Sequence, residues 1–428
     1  MDPPNGKPHD PLGWTIAFSF GFLALLLYRL AIPGSFYFDE IHYIPAARAL
    51  LLESRLLNPE HPMLGKLILA GGIGLFGDNP WGWRLPPALA GALTLFAGMR
   101  AIWFASCRRF ATLGYGILLA SGFMLFVQSR VAMLDGFMLA FLAVALWQAA
   151  AAIREPETGR RRLAITGVAM GLSLGAKWNV APLLPLFGLA FLVWRWMAGR
   201  RRLLTSRRGL PVPGVSLLEA AVWLGLVPLL VYAATYLPGY ALETGAITDN
   251  LLAHHQRMLA LQESVTTPHN YQSTWTEWVT NRRPIWYLYE VTDGAQRGIV
   301  MLGNPLTMLL GLPALLWCAW AAIFPDAEGR RDRAALAVAV LYGVGFAFWI
   351  VAPKPIQFFY HYMIPHCFLL AALALALDAL WRRGWRVAAV LPIAGSVALF
   401  AWFYPILSAG PLTGLASFQR WMWLDSWI

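Results

Sequence analysis

Charge is what this chain has least of. Acidic and basic residues make up 13% of its 428 positions, against 58% apolar residues and a mean hydropathy of +0.56. That balance excludes a soluble globular protein and leaves a polytopic membrane protein. Cysteine is also scarce. Cys107, Cys318 and Cys367 stand far apart, in or beside apolar runs, which excludes a disulfide framework or a cysteine-rich metal site and suits core packing. The chain has no P-loop, no dinucleotide fingerprint, no His-Glu-x-x-His and no Gly-x-Ser-x-Gly, so nothing points to a nucleotide donor. Internal repeats, low-complexity tracts and lipidation motifs are missing. The first apolar run has no small-residue cleavage site and reads as a retained span. The net charge of +11 does not indicate nucleic acid, because the arginines cluster in short loops between apolar runs.

What the chain does have is a series of apolar runs near the length of about 20 residues that a span needs. They are Leu12–Pro33, Leu85–Phe104, Ala111–Val127, Val131–Ile153, Leu163–Ala176, Val180–Met197, Leu217–Leu237, Ile299–Phe324, Ala334–Ala352, Tyr360–Trp381 and Val387–Leu407. An all-α protein with about eleven transmembrane helices follows. Leu67–Phe76 is apolar but too short to cross and reads as a re-entrant or interfacial helix.

Arginine sets the orientation. Arg108 and Arg109 follow the second run. Arg154 and Arg160 to Arg162 follow the fourth, and Arg195, Arg200 to Arg202, Arg207 and Arg208 follow the sixth. Arg330, Arg331 and Arg333 follow the eighth; Arg382, Arg383 and Arg386 follow the tenth. The positive-inside rule makes these loops and the N-terminus cytoplasmic and the C-terminus external. The expected layout is one integral-membrane domain over 1–428. It has a first outer loop at 34–84, a large outer loop at 238–298 and a C-terminal four-helix region at 299–428.

On that topology the remaining charges converge on the outer boundary: Asp39, Glu40, Glu60, His61, Lys66, Arg84, Arg130, Asp135, Lys177, His254, His255, Arg257, His269, Lys354 and His361. Carboxylates beside a membrane are costly unless they act on something. Asp39 and Glu40 are adjacent and point different ways, so one suits a general base and the other an orienting group. Asp39 could instead cap the helix that follows it. Lys66 could bind a phosphate or merely snorkel, and Glu60 or His61 could bind a metal. Arg130 reads as lying at the surface and Asp135 more than a helical turn inside, facing a cavity or a cation. Lys177 has the same two readings as Lys66. His254 and Arg257 would share a helix face if the seventh span continues that far.

The order and spacing of these residues resemble those of the protein O-mannosyltransferase family. The resemblance runs through Phe38-Asp39-Glu40-Ile41-His42, His61-Pro62-Met63-Leu64-Gly65-Lys66, Arg84-Leu85-Pro86, Ser129-Arg130 to Leu134-Asp135, and Lys177-Trp178. It goes on through Tyr271-Gln272-Ser273 with Trp275, Arg283-Pro284-Ile285-Trp286-Tyr287, Gly303-Asn304-Pro305 and Tyr360-His361-Tyr362. It covers almost the whole chain. The large outer loop has no room for the β-trefoil domain of the eukaryotic members, which points to a bacterial member. His269-Asn270-Tyr271 stands where His-Pro-Tyr is usual, a departure on the acceptor side. His254-His255-Gln256-Arg257 is similar to the relatives that move aminoarabinose from undecaprenyl phosphate to lipid A, in which a Glu at the place of Glu60 and a nearby His can hold a metal.

The resemblance implies a C-type glycosyltransferase in a bacterial inner membrane with its site on the extracytoplasmic side. The implied donor is a sugar, mannose by this likeness, on a dolichyl- or undecaprenyl-type phosphate. The acceptor would be the Ser/Thr hydroxyl of an exported protein; a lipid A-type glycolipid is the alternative. Inversion would use Asp39 as base, with Glu40 and Asp135 organising the acceptor or a metal. The phosphate candidates are Arg84, Lys177, Lys66, Arg257 and Arg130. His61, His42, His254, His269, Trp275, Tyr360 and His361 are substrate candidates, and Glu60 with His254 could hold a divalent cation. A lipid-linked sugar transporter is the rival of another class, but it would more typically carry inverted repeats, which the sequence lacks.

Overall fold

A computed structural model describes residues 9–198, 202–326, 328–352 and 354–428. Arg200 and Arg201 of the basic loop lie outside the described residues. Among those described, eight helices are long and apolar enough to cross a membrane: Pro80–Ser106, Asp135–Arg154, Trp178–Met197, Leu217–Tyr240, Pro305–Ile323, Arg333–Val351, Phe359–Arg382 and Arg386–Leu407. The other three expected spans are helical but fall short of that measure. Leu12–Leu27 has 16 residues. The third run breaks into Arg109–Ser121 and Met124–Gln128. Gly159–Ala176 carries Arg160, Arg161 and Arg162 within its 18 residues, which lowers its hydropathy.

Phe359–Arg382 is buried on nearly every side and forms the centre of the bundle. It packs on Arg109–Ser121, Pro305–Ile323, Arg333–Val351 and Arg386–Leu407. A second layer runs from Leu12–Leu27 through Pro80–Ser106 and Asp135–Arg154 to Gly159–Ala176. The short apolar stretch expected at the interface is the helix Met63–Phe76.

Close approach of backbones joins Gly159–Ala176 to Leu217–Tyr240. A Cβ on Gly167 would lie 2.0 Å from the Trp223 carbonyl oxygen, and one on Gly171 would lie 2.6 Å from that of Pro228. Small residues four apart let two membrane helices touch in this way. The contact matters for the site, because Lys177 follows directly at the C-cap of Gly159–Ala176.

The expectation of an all-α chain needs correction. Ile285–Thr292 and Ala295–Met301 form an antiparallel hairpin. The eighth membrane helix therefore starts at Pro305 and not at Ile299. Its Asp293-Gly294 turn has φ of 48° and 74°, the two positive values that a type I′ turn requires. The seventh span does not run on to His254 either. Leu251–Glu263 is a separate helix of the large outer loop, begun by Asn250, whose side chain accepts from the Ala253 N–H.

Gly167→Val should force a side chain into the Trp223 carbonyl and destabilise the protein by about 1–3 kcal/mol. Gly188→Ala, where nothing lies within 4 Å, is the control. Thermal unfolding of the purified protein should separate the two; equal midpoints would mean that this helix pair is loosely joined.

Candidate active site

Asp39 and Glu40 have opposite fates. Glu40 is fully buried and faces Arg84, which is also fully buried. Arg84 Nε and Nη2 donate to the two carboxylate oxygens at 2.8 Å each. The backbone N–H groups of Ala132 and Tyr37 donate to Glu40 as well, at 3.0 and 3.3 Å. The remaining Arg84 N–H groups reach the carbonyls of Leu30, Pro33 and Ser35 at 3.3, 2.5 and 2.8 Å. All five guanidinium donors are thus used. The expectations that Glu40 acts on the acceptor and that Arg84 grips a phosphate do not fit this geometry.

Three more phosphate candidates are committed elsewhere. Arg130 donates to the carbonyls of Leu26, Tyr28 and Arg29, closing the end of the helix Leu12–Leu27. Lys66 is buried and donates to the carbonyls of Asn58, His61 and Leu57 at 2.6, 3.0 and 3.3 Å. Burial pushes its ammonium down to about 7, with Glu60 acting the other way. Arg257 lies half-exposed and pairs with Asp249.

Asp39 occupies the N-cap position of Glu40–Leu52, yet its side chain makes no capping bond. Its carboxylate is left available. It lies near enough to Lys177, His42, Asp135 and Lys354 for their charges to act on it. Burial raises its carboxyl above the ordinary carboxylate range; Lys177 and His42 pull it back, and Asp135 adds to the rise. Asp135 is the first residue of its helix, not a turn inside as expected, and pairs with Lys177 at 2.6 Å. The Lys177 ammonium also sits 5.1 Å from the centre of the Tyr360 ring.

Aromatic contacts hold this cluster. Phe38 has φ of 51°, a left-handed conformation that costs a bulky residue about 1–3 kcal/mol. Its ring stacks on Tyr287 of the hairpin at 3.8 Å and meets Tyr360 edge-on at 6.0 Å. The Tyr287 hydroxyl donates to Gln128 Oε1 at 2.8 Å. Those contacts fix the residue immediately before Asp39.

Beside the cluster lies a cavity of about 120 Å³. His61, Lys177, Asn179 and Lys354 form its polar side, and Leu259, Phe348 and Trp349 its apolar side. Gln262, also in its wall, donates to the Glu60 carbonyl at 2.9 Å and ties Leu251–Glu263 to the first outer loop. His61 packs edge-on to Tyr43, and burial, Lys177 and Lys354 together hold its imidazole well below the usual range.

The other candidates are dispersed. His42 is exposed but acts on Asp39. His361 is buried 4.2 Å from the Trp349 ring, and its Nδ1 accepts from the Phe358 N–H. His254 is buried edge-on to Tyr236. His269 and Trp275 are exposed and pack on Phe358 and Phe346. Among the described residues no three His, Cys, Asp or Glu side chains converge to hold a metal. The Glu60 carboxylate accepts a hydrogen bond from the Asn58 side chain.

Lys354 had stood only among the outer-face charges, and Asn179, Gln262 and Trp349 had no signal at all. Each acquires a role only when distant segments meet.

The helical bundle thus carries a buried acid–lysine cluster at one end. The fold is that of the S. cerevisiae protein O-mannosyltransferase Pmt1-Pmt2 complex bound to the sugar donor, with a TM-score of 0.82, 14% identity, and coverage of 98% of this chain and 93% of that one. ArnT from Cupriavidus metallidurans bound to undecaprenyl phosphate is also similar, with a TM-score of 0.60, 17% identity, and coverage of 93% of this chain and 66% of that one. The family described as dolichyl-phosphate-mannose-protein mannosyltransferase matches residues 75–244. The C-terminal four TMM region of protein-O-mannosyltransferase matches residues 247–427. The chain belongs to the protein O-mannosyltransferase family and is a membrane glycosyltransferase of that type. The polyprenol-phosphate-mannose–protein mannosyltransferase of Mycobacterium tuberculosis is 28% identical over 98% of this chain and 93% of its own length. That of Corynebacterium glutamicum is 27% identical over 98% and 94%.

Glu40→Gln leaves Arg84 buried without its counter-charge and should destabilise the protein by about 3–5 kcal/mol. Asp39→Asn, which breaks no hydrogen bond, should melt like the parent. If both variants lose stability equally, Asp39 is a structural residue.

Proposed function

We propose that the protein transfers mannose from a polyprenyl-phosphate donor to Ser/Thr hydroxyls of exported proteins at the outer face of a bacterial inner membrane. The observation that carries this reading is the uncapped Asp39 carboxylate beside the Lys177–Asp135 pair. The curated relatives carry the donor and the acceptor class in their names, polyprenol-phosphate-mannose and protein.

In this reading Asp39 takes the proton of the acceptor hydroxyl as its oxygen bonds to the sugar's anomeric carbon. The bond from that carbon to the phosphate oxygen breaks, and the electron pair leaves on the phosphate. Attack from the face opposite the phosphate inverts the anomeric centre. A phosphate leaves without needing a proton, so a base and a cation suffice. Lys177 supports the departing charge, and Asp135 holds it in place. Tyr360 lies beneath that ammonium and limits water around it.

Asp39→Asn should cut turnover by ~10²–10⁴-fold while leaving donor binding unchanged. Only the ionised carboxylate accepts a proton, and burial raises its pKa. The acid limb of kcat/KM should therefore lie above the ordinary carboxylate value of about 4, with activity falling as pH drops through it. Near-parental turnover by Asp39→Asn beside an inactive Asp135→Asn would move the base to Asp135. An acceptor panel that included lipid A would show by its labelled product whether the hydroxyl belongs to a protein or a glycolipid.

The outer-face assignment rests on the arginine loops. A single Cys at Thr267 should react with an impermeant thiol reagent in intact cells, and one at Pro156 should stay shielded. The reverse pattern would put the site in the cytoplasm.

A further inference from the structure

Arg84, Arg130, Lys66 and Arg257 are held by protein acceptors, and Lys177 by Asp135. Lys354 differs from all of them. Among the described residues, no hydrogen bond or ion pair reaches its ammonium, although the side chain is largely withdrawn from solvent and lines the cavity with Lys177 and His61. An ammonium held in poor contact with water and without a hydrogen-bonded or ion-paired partner is unfavourable unless an anion arrives. A lysine also suits phosphate, as a compact point charge.

The rest of the cavity names the kind of anion. Its far wall is apolar, made by Leu259, Phe348 and Trp349. Leu259 belongs to Leu251–Glu263, whose outward surface also exposes Leu252. Phe348 and Trp349 belong to Arg333–Val351, whose last residues, Ile350 and Val351, are exposed apolar side chains. An anion seated at Lys354 would thus lie between two elements with apolar outer surfaces. Glu263 lines the same cavity but is exposed, so water and salt screen it.

We propose that Lys354 holds the phosphate of the lipid-linked donor, and that the isoprenoid chain leaves the cavity between Leu251–Glu263 and the end of Arg333–Val351. This rests on the reading of a polyprenyl-phosphate donor given above. During transfer one negative charge disappears from Asp39 as it takes the acceptor proton, and one appears on the phosphate as the sugar bond breaks. Lys354 lies within electrostatic reach of Asp39, Asp135 and Lys177. Burial and Lys177 lower its ammonium to about 8, so the cation is still present at neutral pH, and a bound phosphate strengthens it.

The test is equilibrium binding of undecaprenyl phosphate to the full chain in lipid nanodiscs. Undecaprenol, which lacks the phosphate, is the second probe. Lys354→Gln should weaken undecaprenyl phosphate at least tenfold, Lys354→Arg should stay within about threefold of the parent, and all three should bind undecaprenol alike. Parental affinity of Lys354→Gln for undecaprenyl phosphate overturns the assignment. An equal loss for undecaprenol does the same, since it would mean a collapsed cavity. Displacement by inorganic phosphate at matching concentration would make this a plain anion site and overturn the chain's exit. A parent that binds undecaprenyl phosphate in this Lys354-dependent way, yet transfers no mannose, would defeat the proposed function and leave this site standing.

Discussion

The bidentate contact between Glu40 and Arg84 is the joint on which this end of the bundle is built. A carboxylate and a guanidinium without access to water bind strongly only when every donor and acceptor is satisfied. Here the carbonyls of residues 30, 33 and 35 and the N–H of Ala132 complete the set. One interaction thereby fastens the end of the first helix region, the first outer loop, the helix Pro80–Ser106 and the segment before Asp135. Asp39 is the next residue along the chain. Its position follows from its neighbour's confinement, while among the described residues no hydrogen bond reaches its own carboxylate.

A division of labour between the basic residues follows. Arginine presents a planar fork of five donors, and both Arg84 and Arg130 use it to gather backbone carbonyls. Lysine presents a single compact charge on a flexible stem. Lys66 is the exception that holds a loop; Lys177 and Lys354 both face the cavity. The same end of the bundle therefore contains cations that build and cations that face a cavity, and residue type nearly sorts them.

Much of this was legible in the sequence. Apolar runs located the helices, and the crowding of Asp39, His61, Lys66, Asp135 and Lys177 near one boundary marked the candidate site. Periodicity and charge cannot say which partner a side chain takes. Glu40, Arg84 and Arg130 looked as available as Asp39, and only their hydrogen bonds removed them. The hairpin had a signal, since Ile285 to Tyr289 are β-formers and Asp293-Gly294 marks a type I′ turn, but its position before a membrane helix masked it. Lys354 had none. Its meaning depends on Lys177 and His61, 177 and 293 positions away, and a single chain carries no record of such meetings.

The segment after the last membrane helix folds back on the hairpin. The Trp427 indole donates to the Asn281 carbonyl, the Trp286 indole donates to the Trp427 carbonyl, and Arg297 donates to the carbonyl of Ala409. The hairpin in turn supplies Tyr287 to the stack on Phe38. Asp39 is thus made near the start of synthesis, while the pieces that steady its surroundings arrive near the end. At ordinary rates of translation that interval is on the order of tens of seconds. Throughout it, a half-made chain carries Asp39 without the hairpin ring that stacks on its neighbour Phe38.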